Sequence, residues 1–74
     1  MIVVDFQFLE KTINDYEGNK EFFASQIIIG LIHDQDVHPE LLEEEALMYL
    51  MILGLTGSKI NKEKTLGYVK DAFL

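Results

Sequence analysis

The residues best suited to chemistry fall in one stretch, where His33, Asp34, Asp36, His38 and Glu40 lie close together. Imidazole and carboxylate groups both ligate zinc or nickel. Nothing in the spacing holds these five on one face of one element, as an HExxH helix holds its ligands. A His-Asp dyad such as His33-Asp34 can also serve metal-assisted phosphate hydrolysis. That chemistry draws further His and Asp ligands from separate helices, and only His38 remains here as a second imidazole. The expectation is adventitious metal binding at most, with no metal site, no cofactor and no catalytic residue.

Other motifs fail on their own spacing. Asp34, Asp36, His38, Glu40 and Glu45 fall at positions 1, 3, 5, 7 and 12 of a calcium loop. Position 6 of that loop must be glycine for its sharp turn, and here it is Pro39. Gly54-Leu55-Thr56-Gly57-Ser58-Lys59 resembles a phosphate loop only faintly, since the Walker pattern needs GxxxxGK[ST] between a strand and a helix. Ser25 and Ser58 have no base at motif spacing, so nucleophilic catalysis has no support. The chain is expected not to be an enzyme.

Charge narrows the partners. The net charge is −7, with 13 Asp and Glu against 6 Lys and no Arg. Nucleic-acid phosphates call for Lys and Arg, so direct binding to DNA or RNA is not expected. The imbalance is uneven: residues 1–58 hold eleven carboxylates and two lysines, a net of −9, whereas 59–74 carry +2. Glu40, Glu43, Glu44 and Glu45 form the densest acidic patch. Successive helical residues point about 100° apart, which makes this patch a solvated helix start, or a docking surface for a basic partner, before it makes a catalytic pair.

Apolar bulk is the most informative property. Of the 74 residues 49% are hydrophobic and none is cysteine. A chain this short buries only about 60% of its unfolded surface, and no disulfide can staple it. Small unstapled domains lean on tight helix packing or on association. The two charge-free runs, 22–32 and 46–58, are shorter than the ~20 residues that span a bilayer. Met1-Ile2-Val3-Val4 lacks the basic flank of a signal peptide, and Asp5 interrupts it. A cytoplasmic protein with no membrane association is expected.

Breakers at Gly18-Asn19, Asp34–Pro39 and Gly54–Ser58 cut the chain into four segments of helical length. The first runs from about Val3 to Glu17. Phe6, Leu9, Ile13 and Tyr16 recur there at helical spacing, and Gly18 stands where a left-handed C′ residue belongs. Val4, Phe6 and Phe8 also alternate as on a strand, but no second strand is evident to pair with them. The second spans Lys20–His33 with Asn19 as N-cap, and its apolar residues go nearly all round. The third opens on His38-Pro39, with Pro39 at the first helical position and Val37 spaced to staple Leu42. It becomes almost wholly apolar over 46–53 and ends at Gly54. The fourth runs from Lys62 to Phe73 behind Asn61, with Gly67 a costly mid-helix residue.

The reading is one all-α domain over 1–74, a small antiparallel bundle of about four short helices. Its expected role is non-enzymatic protein–protein association, as a regulator, inhibitor or adaptor and as a homodimer or with another protein. Phe22, Phe23, Ile28, Leu47, Leu50 and Met51 on helices two and three are the expected interface. The alternative is an acidic mimic of nucleic acid that occupies the groove of a nucleic-acid-binding protein.

Overall fold

Three of the helices begin on an Asx side chain that takes the free N–H of the third helical residue. Asp5 Oδ1 accepts from Phe8 N, Asn19 Oδ1 from Phe22 N and Asn61 Oδ1 from Lys64 N, each at 3.0 Å. Such caps satisfy one of the four N–H groups that a helix start leaves open. The computed structural model describes residues 4–33, 35–57 and 59–73. Among them are α1 (Phe6–Asp15), α2 (Lys20–Ile32), a 3₁₀ turn (Pro39–Leu41), α3 (Leu42–Ile52) and α4 (Lys62–Phe73), with no strand.

The chain is therefore a small all-α bundle. The strand alternative for its first residues is not adopted from Phe6 onward, although residues 1–3 lie outside the described set. α1 is shorter than its apolar spacing suggests, because the Asp5 cap sets its start and Tyr16, extended, closes it by donating its N–H to the Ile13 carbonyl.

Two expected helix ends differ from the finding. Gly18 is not left-handed, Gly54 being the glycine with positive φ, at 71°. Gly18 instead accommodates the Tyr16 ring, whose edge would lie 2.6 Å from a Cβ there. Gly54 closes α3 by donating to Met51 O at 3.0 Å while Leu55 N donates to Leu50 O at 2.9 Å. This crossed pair is the Schellman arrangement, in which left-handed backbone at C′ satisfies two orphan carbonyls. At the other end of α3, Pro39 opens a 3₁₀ turn and the α-helix itself starts at Leu42. His38 precedes the turn but makes no side-chain cap.

α2 lies at the centre, packed against α1, α3 and most extensively α4. Small residues permit the α2–α4 approach. Ala24, Ser25 and Thr65 are fully buried, and the two hydroxyls bond back to their own helices, Ser25 Oγ to Phe22 O at 2.6 Å and Thr65 Oγ1 to Asn61 O at 2.9 Å. Buried polar groups with partners do not incur the desolvation cost of unpaired ones. Ile13, Ile28, Ile32, Leu50, Leu53, Leu55 and Val69 complete the core.

Inter-helix polar contacts gather where α2 and α4 begin. Asn19 Nδ2 donates to the Tyr68 hydroxyl at 3.1 Å, Glu21 Oε2 accepts from Asn61 N at 3.3 Å, and Phe22 meets Tyr68 edge-on at 5.3 Å between centroids.

Candidate functional site

α3 carries apolar residues on both of its sides. One side is core: Leu42, Ala46, Tyr49, Leu50 and Leu53 are buried. About 180° round the same helix stand Leu47 (39% exposed), Met48 (40%), Met51 (65%) and Ile52 (44%). These are two i, i+4 pairs, 47 with 51 and 48 with 52, so they form one contiguous outward stripe. Leu41, also half exposed, precedes it in the 3₁₀ turn, and Glu44 lies on its N-terminal edge. Apolar side chains exposed singly are ordinary, whereas large contiguous apolar patches are uncommon on monomers.

The six residues expected at an interface are not brought together. Ile28 and Leu50 are fully buried inside the chain, so they are core and cannot meet a partner in this conformation. Phe23 is half-buried, its ring tilted against Tyr16 at 4.5 Å. Phe22 is exposed but its ring is engaged by Tyr68. Leu47 and Met51 do share a surface, together with Met48 and Ile52, which are not among those six. The i+4 spacing of these pairs was the available signal. What hid it is that a helix apolar all round gives periodicity nothing to phase.

The acidic patch also divides. Glu43 reaches across to Lys70 on α4, Nζ to Oε2 at 3.4 Å with both side chains well exposed, a pairing worth about 0–1 kcal/mol. Glu45 turns towards the protein and its Oε2 is buried with no hydrogen-bond partner. Glu40 and Glu44 remain in solvent. The helical rotation of about 100° per residue accounts for this scatter.

In the stretch around 33–40, His33, Asp36, His38 and Glu40 are exposed, and Asp34 lies outside the described residues. No three His, Asp or Glu among the described residues gather as metal ligands. Gln35 instead ties the stretch to α3, its Nε2 donating to the Tyr49 hydroxyl at 2.6 Å.

Two depressions mark the surface. An open one of about 760 Å³ is lined by Asn14, Gly18, Asn19, Lys20, Glu21, Lys59, Ile60 and Lys64. Its charges are mixed, and the Lys20 ammonium already donates to the Asn14 carbonyl. A second, of about 130 Å³, lies between Ile32, Gln35, Val37, Pro39, Leu42 and Phe73. That is below the roughly 300–1,000 Å³ of small-molecule pockets. None of the described helices is long and apolar enough to cross a membrane. Compared with models of protein families, with curated proteins and with solved structures, the chain finds no match.

Proposed function

We propose that this protein acts by binding a protein surface, not by catalysis, with the outer face of α3 as the contact and the cytoplasm as its place of action. One observation carries the reading: Leu47, Met48, Met51 and Ile52 form an exposed apolar stripe on a helix whose other side is core. Covering each such side chain contributes roughly 1.5–3 kcal/mol relative to full exposure, less here because each is already part covered. Methionine side chains are flexible and polarisable and adapt to the surface they meet.

The test pairs the unaltered chain with Met51→Glu as baits in the same host lysate. Met51 is the most exposed of the four, so the variant is expected to fold, with an unchanged thermal midpoint in dilute solution. Proteins retained by the unaltered chain and lost with Met51→Glu support the reading, and identical retention by both baits overturns it. The acidic-mimic reading predicts the opposite pattern: retention insensitive to Met51→Glu but abolished by salt and by Glu40→Lys with Glu44→Lys.

A further inference from the structure

We infer that the occupant of the α3 outer face is the same face of a second copy, laid antiparallel across a two-fold axis that passes between Met48 and Met51. The inference rests on the reading of that face as the contact surface. Its first support is the symmetry of the stripe. A two-fold interface is self-complementary, so that if residue i meets j then j meets i. Read in either direction, the exposed positions run aliphatic, Met, Met, aliphatic: Leu47, Met48, Met51, Ile52. Reversal places Met48 on the partner's Met51 and Leu47 on the partner's Ile52, like size against like size.

Charge supplies the second support and selects the direction. The start of α3 carries exposed Glu44 and the partly paired Glu43, with exposed Glu40 in the turn before it, whereas the described residues at its end, Met51 to Gly57, carry no charge. A parallel pair would set Glu44 against its own copy, and like charges in contact are unfavourable. The antiparallel pair separates the two Glu44 residues by about 16 Å along the axes, at about 1.5 Å per residue. Each then lies beyond the end of the partner's α3, clear of its own copy. The helix dipoles also oppose in this arrangement. One helix pair covers less than the about 800 Å² per partner of a standard interface, so a weak, concentration-dependent dimer is expected.

The absence of cysteine makes introduced thiols unique reporters. Under mild oxidation at tens of micromolar protein, Met51→Cys should give a covalent dimer. Glu44→Cys alone should not, whereas Leu47→Cys mixed with Ile52→Cys should give the crossed product. Sedimentation equilibrium of the unaltered chain should show a monomer–dimer equilibrium, weakened at least tenfold by Met51→Glu. Self-cross-linking of Glu44→Cys would overturn the antiparallel arrangement. A monomer throughout, with no cross-link from Met51→Cys, would overturn the second copy as occupant. The bait comparison then decides separately: proteins lost with Met51→Glu leave the contact face standing with a different occupant, and no such loss removes both.

Discussion

The Glu10 carboxylate of α1 occupies the space that a Cβ on Gly54 would take, so the middle of α1 and the end of α3 meet at this glycine. Gly54 also holds a φ of 71°, which costs an L side chain about 1–2 kcal/mol. Gly54→Ala is therefore expected to destabilise by that amount plus the cost of displacing Glu10. In a Glu10→Ala background the second part should vanish and the first remain. Urea midpoints of the four chains provide the check. An equal penalty in both backgrounds would show that the carboxylate swings aside freely.

Asn19 performs two tasks, accepting from Phe22 N through its oxygen and donating to the Tyr68 hydroxyl through its nitrogen. Asn19→Ala loses both and should cost about 1–2 kcal/mol. Asn19→Asp keeps the cap and gives up the donor, so it should cost clearly less, and Tyr68→Phe should abolish the difference between Asn and Asp. Chemical denaturation of these variants separates the two contributions.

The caps at Asn19 and Asn61 and the end of α3 at Gly54 were legible in the sequence because each depends on a few adjacent residues. Gly18 misled because a glycine after a helix has two causes, left-handed backbone or a close neighbour, and only the fold shows that Tyr16 is that neighbour. α2 and α3 are both apolar all round, yet α2 is enclosed by three helices and α3 is covered on one side. Nothing local distinguishes them. That is why Leu47 and Leu50 carried the same expectation although one is exposed and the other fully buried.

Those two leucines give the sharpest stability contrast in the chain. Leu50→Ala removes a fully buried side chain and should cost about 2–5 kcal/mol, the range for cavity-forming core changes. Leu47→Ala should alter the stability of the monomer by no more than about 0.5 kcal/mol, as surface changes do, while weakening any association through α3. Thermal melts at dilute and concentrated protein test this, since loss of association lowers the midpoint only where the dimer is populated. A large, concentration-independent loss with Leu47→Ala would place that side chain in the core.

Gly30 and Gly67 offer the reverse effect. Both sit inside helices, α2 and α4, and a Cβ built on either meets nothing within 4 Å. Glycine in a helix interior is less favourable than alanine by about 0.5–1 kcal/mol, because the unfolded chain loses more freedom on folding. Gly30→Ala and Gly67→Ala are therefore each expected to stabilise by about that amount, raising the thermal midpoint by about 2–8 °C for a domain of this size. Neither position touches the α3 stripe, so the monomer–dimer equilibrium should stay unchanged, and the doubly substituted chain becomes a stable background for Met51→Glu. Calorimetry of the single and double variants is the measurement. A lowered midpoint at Gly67 would mean that α4 closes on a neighbour too tightly for a methyl group there.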